Sequence, residues 1–286
     1  MRNTELHKQS EIMSPRSTVP NAFSVFEHAG WERAALPYAN FWSGLTRQTI
    51  EPLLDAVGAA PGVRLLDVAC GPGLLAAAAV RRGATVVGVD FSSTMVAEAG
   101  NRFPFLEFRQ GNAEALPFSE GCFDAVAMNF GLLHLAQPEQ ALREARRVLR
   151  PGGRVGFTVW CAPGEAIGLA LVLDAINAHG NLKVPLPPGP PFFRYSDPSV
   201  SRRALLDAGF ARPEVTWVSQ LWRLPSPDAL FDAMYDGSVR TAGLLRAQTP
   251  EALRAIRVAL RRAAEAYARG GAVELPMPAV LARARA

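Results

Sequence analysis

The chain has 286 residues, of which 49% are hydrophobic and 20% charged, with a formal net charge of +4. At roughly 100–200 residues per domain, that length allows one large domain or a core with an appended subdomain, and it excludes neither disulfide-free nor metal-free folding. Disorder as the main state is excluded, and three widely spaced cysteines (Cys70, Cys122 and Cys161, with no Cys-x-x-Cys) argue against a disulfide framework or a zinc cluster.

The first fourteen residues are polar, carry Glu5 and Glu11 and lack an apolar h-region, so they do not read as a signal peptide. Aromatic residues concentrate between Phe23 and Trp42, and residues 45–57 show helical apolar spacing stopped by Gly58. Strand and helix patterns then alternate. Residues 63–69, 85–89, 106–109, 123–129 and 154–160 read as strands, and residues 73–82, 94–101 and 140–149 as helices. Apolar runs with both faces buried and short connections predict a doubly wound α/β sheet whose order reverses between the first and fourth strands. Ligands bind beside such a reversal, which gathers residues 69–73, Asp90 and Asn129 around one crevice.

Beyond Trp160 a helix over 165–178 precedes a proline-rich loop at 185–191 and a helix over 198–208. A β-rich run spans 214–224, and a helical block covers 227–269, broken near Gly237, Gly243 and Pro250. Residues 273–284 supply a final strand. The longest apolar stretch, 166–176, falls short of the roughly 18 residues of a membrane span, so a soluble cytoplasmic protein is expected. Lysine occurs only at Lys8 and Lys183, so the positive charge is almost all arginine. Arg254, Arg257, Arg261 and Arg262 have the spacing of a solvated helix face, and no basic stripe interleaved with aromatics points to nucleic acid. There is no Tyr-x-x-x-Lys pair and no P-loop Gly-Lys-Ser/Thr.

The most informative segment is Leu65-Leu66-Asp67-Val68-Ala69-Cys70-Gly71-Pro72-Gly73. A strand ends and a helix begins there, and glycines let a ligand approach the backbone. Gly71, Gly73 and Ala76 satisfy G-x-G-x-x-A, with Asp90 about 20 residues on, as a dinucleotide site requires. Asp67 separates the candidates. Behind a pyrophosphate loop a second carboxylate is repulsive, whereas an ammonium or sulfonium group is attracted by roughly 1–4 kcal/mol for a close pair. The acidic pair favours a cationic adenosine ligand.

The same segment resembles motif I of class I S-adenosylmethionine (SAM)-dependent methyltransferases. Val86-Val87-Gly88-Val89-Asp90-Phe91-Ser92-Ser93-Thr94-Met95 resembles the acidic-loop motif that follows it. Gly111-Asn112-Ala113-Glu114-Ala115-Leu116-Pro117-Phe118, then Phe123-Asp124-Ala125-Val126, resembles the adenine-side motif and fourth strand. Leu149-Arg150-Pro151-Gly152-Gly153-Arg154 resembles the turn before the fifth strand. The blocks occur in family order over residues 45–160 and are similar to the subgroup that includes ubiquinone/menaquinone C-methyltransferases.

The resemblance implies a Rossmann-like, mostly parallel seven-stranded sheet. Residues 1–44 would be an N-terminal segment ending in a cofactor-covering helix, and 45–160 the SAM-binding core. Residues 161–286 would complete the sheet, with a helical lid at about 226–270. Asp67, Ala69, Gly71 and Gly73 would surround the methionine part and ribose, and Asp90 would accept both ribose hydroxyls. Phe91 and Met95 would pack on adenine, Asn112 and Ala113 would read its edge, and Asn129 with Leu133 would close the methionine end. Asn112 stands where relatives often have Asp. Plainer roles stay open: Asp67 as a cap for backbone amides, Met95 as core, Asn129 as a turn residue.

On the acceptor side, His134 follows the fourth strand and is either a general base toward an acceptor hydroxyl or a residue that lines the pocket or caps a helix. Tyr38, Trp42, Trp160, Phe193 and Tyr235 are candidates for the wall of an apolar acceptor chamber. The expected reaction is methyl transfer from SAM to a partly hydrophobic small molecule, with S-adenosylhomocysteine as product and no metal. The alternatives are an NAD(P)-dependent oxidoreductase and a SAM-binding fold relative that does not methylate.

Overall fold

In the computed structural model, residues 21–286 are described; the polar start read from the sequence lies outside them. Helix α1 (Ala22–Phe41) opens at Asn21, whose Oδ1 accepts from Phe23 N at 2.8 Å and so satisfies one orphan amide of the first turn. The helical spacing of 45–57 resolves into a short α2 (Ser43–Thr46), a 3-10 turn (Arg47–Thr49) and α3 (Ile50–Val57). Side-chain hydroxyls interrupt it: Thr46 Oγ1 donates to Trp42 O and Thr49 Oγ1 to Thr46 O, at 3.2 and 2.8 Å. Gly58 ends α3 at φ 71°, in the left-handed region.

The alternating core follows as β1 (Arg64–Val68), α4 (Leu74–Arg81), β2 (Thr85–Asp90), α5 (Ser93–Arg102), β3 (Glu107–Gln110), β4 (Phe123–Asn129), α6 (Pro138–Val148) and β5 (Leu149–Trp160). The second half holds α7 (Ile167–His179), α8 (Pro198–Asp207), β6 (Ala211–Val218), β7 (Leu221–Leu224), α9 (Asp228–Asp236), α10 (Arg240–Arg246), α11 (Pro250–Glu265), β8 (Ala268–Arg269), β9 (Ala272–Pro276) and β10 (Ala279–Arg285). The seven-stranded sheet has the order β3-β2-β1-β4-β5-β10-β6, and β10 runs antiparallel to both of its neighbours. This is the mostly parallel Rossmann-like α/β sheet. Leu65, Leu66 and Val68 of β1 and Ala125 to Met128 of β4 are fully buried, because helices cover both faces of the central strands. The chain reverses its direction of travel between β1 and β4, so their carboxyl ends flank the switch point.

The phenyl ring of Phe108 on β3 sets a close approach under the loop after β1. A Cβ on Gly88 would lie 2.5 Å from this ring, and one on Gly73 2.7 Å from it. Gly73 also takes φ 78° as it enters α4. Gly88, within β2, therefore needs glycine for packing, and Gly73 needs it for packing as well as for the turn.

Three expectations for the second half are corrected. The run 214–224 is two strands, with β6 in the large sheet and β7 in a small sheet ordered β7-β9-β8. Residues 273–284 divide likewise between β9 and β10. Both changes of sheet occur at one place, where Met277 N donates to Gln220 O at 3.0 Å and Gln220 Nε2 to Met277 O at 3.1 Å. Pro276 and Pro278 lack the N–H that would continue a ladder across this point. Gly243 lies within α10 rather than breaking the helices. The break is at 247–249, after which Pro250 opens α11 behind a Thr249 cap.

On α11, Arg257 pairs with Asp232 of α9 at 3.1 Å, and Arg254 and Arg261 pair within their own helix, as a solvated face does. Among the described residues no helix is long and apolar enough to cross a membrane.

Gly88→Ala is expected to cost about 1–3 kcal/mol in chemical denaturation through overpacking on Phe108. Phe108→Leu in the same chain should return part of that loss. Additive costs in the double-mutant cycle would show that the two positions are not coupled.

Candidate active site

At the carboxyl ends of β1 and β4 the backbone is forced into the left-handed region at two non-glycine residues, Ala69 (φ 54°) and Phe130 (φ 56°). Each such residue costs on the order of 1–3 kcal/mol and is held by its surroundings. Both residues line a crevice of about 890 Å³ at the switch point. Gly131 completes the join, since a Cβ there would lie 2.5 Å from the Ala69 methyl.

Two buried carboxylates form the crevice floor. Asp67 Oδ2 accepts from Ala76 N at 3.0 Å, in the first turns of α4. Asp90 accepts from Gly71 N and Ser92 N, each at 2.9 Å. Burial pushes the Asp67 carboxyl up to about 8 against the pull of the Ala76 amide, with the Asp90 charge adding to the rise. Burial likewise raises Asp90 to about 6, although the Ser92 and Gly71 amides oppose it. A carboxyl in such a place ionises readily only beside a cation or a set of donors.

The crevice wall takes in Asp67, Ala69, Gly71, Asp90, Phe91 and Met95, and beyond them Asn112, Ala113 and Asn129. Gly73 and Leu133 are not part of it. Gly73 is occupied with Phe108, and Leu133 is buried with its carbonyl accepting from Arg240 Nη2 at 2.8 Å. Leu135 lies in the wall instead. Asn129 is a clamp as well as a lining residue. Its Oδ1 accepts from Thr158 Oγ1 at 2.6 Å and lies 2.7 Å from Thr49 Oγ1, and its Nδ2 donates to Thr46 O at 3.1 Å. Asn112 Oδ1 accepts from Glu114 N at 2.9 Å.

Helix α1 crosses above the crevice and contributes Trp31 and Tyr38 to it. It is tied to the start of α5 by Glu32, which accepts from Ser93 N at 2.7 Å and from the Thr94 hydroxyl. Partial burial raises the Glu32 carboxyl, but hydrogen bonds from Thr94, Ser92 and Ser93 outweigh it and hold the group below the usual carboxylate range.

A second chamber of about 470 Å³ adjoins the first and shares Trp31, Tyr38, Phe130 and His134 with it. Trp42, Trp160 and Phe192 add aromatic wall. Phe130 stacks on Trp160 with centroids 4.0 Å apart, and Trp42 Nε1 donates to Ala233 O of α9 at 3.0 Å. Phe193 and Tyr235 lie outside this wall. Phe193 packs edge-on against Phe192, and Tyr235 stacks on Phe231 within α9.

Sequence reasoning missed the polar network beneath the chamber. Glu27 of α1 is fully buried; its Oε1 accepts from Arg240 Nε at 2.8 Å, and its Oε2 lies 3.0 Å from His134 Nδ1. Arg240 also donates to Pro190 O at 2.7 Å. A charged residue within an aromatic-rich helix was the one sequence signal for Glu27, and nothing near Arg240 marked it.

Residues 66–157 match the methyltransferase domain family. The chain is 44% identical over 120 residues to a demethylmenaquinone methyltransferase from Beutenbergia cavernae, a match covering 42% of this chain and 50% of that protein. It is 40% identical over 165 residues to a 2-phytyl-1,4-naphthoquinone methyltransferase from Synechocystis, covering 54% of this chain and 62% of the relative. The chain thus spans roughly half of the curated relatives it matches. In fold it is similar to the solved cyclase SpnF, with a TM-score of 0.54 at 21% identity, covering 93% of this chain and 97% of that one. Residues 66–157 therefore carry a methyltransferase domain.

Proposed function

We propose that the chain binds SAM in the strand-end crevice and catalyses transfer of its methyl group to a small, partly hydrophobic aromatic acceptor in the neighbouring chamber. The observation that carries this reading is the wall shared by the two cavities, which sets a carboxylate-floored site against an aromatic one. The residues present fit the ligand. Asp90 suits the ribose hydroxyls and Asp67 the ammonium of the methionine part. Phe91 and Met95 suit the adenine faces, and the second lone pair of Asn112 Oδ1 suits its amino group. Gly73 acts from behind the wall by letting α4 approach β3. Asn129 acts by fixing residues 46–49 against β4 and β5, and Leu133 by anchoring Arg240.

When bound, SAM supplies a methyl carbon made electrophilic by its sulfonium. The chain's part is to align the acceptor in line with that carbon, keep water out and accept the acceptor's proton. His134 is assigned this last role from its place in the shared wall. Relatives named for demethylmenaquinone and phytyl-naphthoquinone support a quinol-type ring system as the acceptor class, and an aromatic chamber suits a flat ring. No observation favours the oxidoreductase alternative.

Titration calorimetry should find micromolar binding of SAM and S-adenosylhomocysteine, lost in Asp90→Ala, and no comparable binding of NADH or NADPH. Nicotinamide binding alone would overturn the assignment. Raised carboxyl pKa values in the folded state mean that the ligand-free protein loses stability as pH rises above the unfolded value of about 4, the loss being complete by about 6 for Asp90 and about 8 for Asp67. A cationic ligand binds the ionised forms, so SAM affinity should rise over the same interval, by roughly tenfold between pH 5.5 and 8. Asp67→Asn should flatten the upper part of that rise, and a flat wild-type profile would sink the electrostatic account. His134→Gln should leave SAM affinity within about twofold while slowing turnover by roughly 10²–10⁴; unchanged turnover would remove His134 from the proton step.

A further inference from the structure

The wall of the aromatic chamber carries three groups able to exchange a proton: Tyr38, His134 and Arg240. Burial pushes Tyr38 up to about 12, and its hydroxyl lies 3.2 Å from Thr46 Oγ1, to which it donates. Arg240 directs its donors to Glu27 Oε1, Pro190 O and Leu133 O, and its guanidinium stacks over the Phe23 ring at 4.4 Å. Neither takes a proton from a ligand near neutral pH. His134 differs. Its Nδ1 faces Glu27 Oε2, and among the described residues its Nε2 has no hydrogen-bond partner. The ring is held edge-on between Trp31, at 4.8 Å, and Phe192, at 6.0 Å.

The carboxylate decides which nitrogen carries hydrogen. A carboxylate bonded to a guanidinium only accepts, so the Nδ1 that faces it must donate. The neutral imidazole then keeps its lone pair on Nε2. Glu27 comes from α1, His134 from the loop after β4 and Arg240 from the start of α10, so the arrangement exists only when α1 and α10 are both packed on the core.

We infer that Glu27 is a positioning residue that fixes His134 as the Nδ1–H tautomer, leaving Nε2 to take the proton of a ring hydroxyl on the acceptor. This rests on the methyltransferase reading above and deepens it. In the step the acceptor's O–H bond breaks, the proton bonds to Nε2, and the electron pair stays on the ring oxygen and spreads to the carbons beside it. Those atoms become the nucleophile: where oxygen takes the methyl, the imidazolium returns its proton to water, and where a ring carbon takes it, the imidazolium returns its proton to the ring oxygen while that carbon's own C–H bond breaks and its proton goes to water. A phenol gives up its proton far more readily than an alkyl hydroxyl does, because the charge left on oxygen spreads into the ring. An acceptor bearing an ammonium group would want a carboxylate in the chamber, and Glu27 is already committed to Arg240 and His134.

The test reads the histidine ring nitrogens of the full chain by long-range 1H–15N correlation at about pH 8, with and without S-adenosylhomocysteine, using His134→Asn for assignment. Wild type should show a protonated Nδ1 and a lone-pair Nε2. In Glu27→Gln the amide oxygen turns to Arg240 and the NH₂ to His134, so the tautomer should reverse. Glu27→Asp, which keeps the charge, should retain the wild-type tautomer and guards against simple loss of packing. With 1,4-dihydroxynaphthalene as acceptor under anaerobic conditions, Glu27→Gln should slow methyl incorporation by about 100-fold while KM for SAM stays within about twofold. A wild-type Nε2–H tautomer, wild-type turnover in Glu27→Gln, or no methylation of this probe by a protein that binds S-adenosylhomocysteine would each overturn the inference. Failure of S-adenosylhomocysteine to bind would strike the methyltransferase reading instead, and the tautomer in the ligand-free protein would still be readable.

Discussion

Asp67 and Asp90 sit in a wall that offers them almost no water, and much of the surrounding architecture answers to that fact. A carboxylate moved into an apolar interior is expensive unless donors face it. Here the donors are the amides of Ala76, Gly71 and Ser92. They are free because a strand has just ended and a helix is starting, before intrahelical bonds claim the first N–H groups. The left-handed turn at Ala69, the glycines after it and the alanine-rich, closely packed α4 all bring those amides to the carboxylates. The amides lessen the burial penalty without cancelling it, since both acids remain raised above the ordinary range. A site left short of positive charge is matched to a ligand that carries some.

Local rules made the first half of the chain legible. Buried parallel strands need continuous apolar runs, and the loop after β1 needs glycine where Phe108 and the turn leave no room for Cβ. Asp67 and Asp90 stood out because acids at the ends of apolar strands contradict the pattern around them. The second half was harder to read because its pattern is not local. The runs 214–224 and 273–284 each look like one strand, and only the meeting of Gln220 with Met277, fifty-seven residues apart, shows why each divides. Pro276 and Pro278 marked a weak point without saying that the chain changes sheets there.

The acceptor side was only partly legible, for a related reason. Tyr38, Trp42 and Trp160 do line the chamber. Composition identified aromatics but not their direction, and neighbours in sequence point opposite ways. Phe192 faces the chamber while Phe193 packs behind it, and Leu135 rather than Leu133 reaches the crevice. Glu27 and Arg240 are separated by more than two hundred residues, so no spacing rule relates them; their pairing becomes visible only once α1 lies beside α10. His134 was recognisable as a candidate from its place after β4, but the partner that gives its two nitrogens different roles was not.

The placing of β10 has a consequence for how the sheet is built. This strand lies between β5 and β6, and β6 pairs with no other strand of the large sheet. During synthesis β10 leaves the ribosome after every other strand, so β5 keeps an open edge and β6 waits unpaired until residues 279–285 emerge. The five strands from β3 to β5, with both acids and the glycine loop, need nothing from that late segment to pair with one another. Biosynthesis therefore divides the molecule into an early half, in which the crevice floor can take shape, and a late half, which is the interval of exposure to mispairing at an uncovered strand edge.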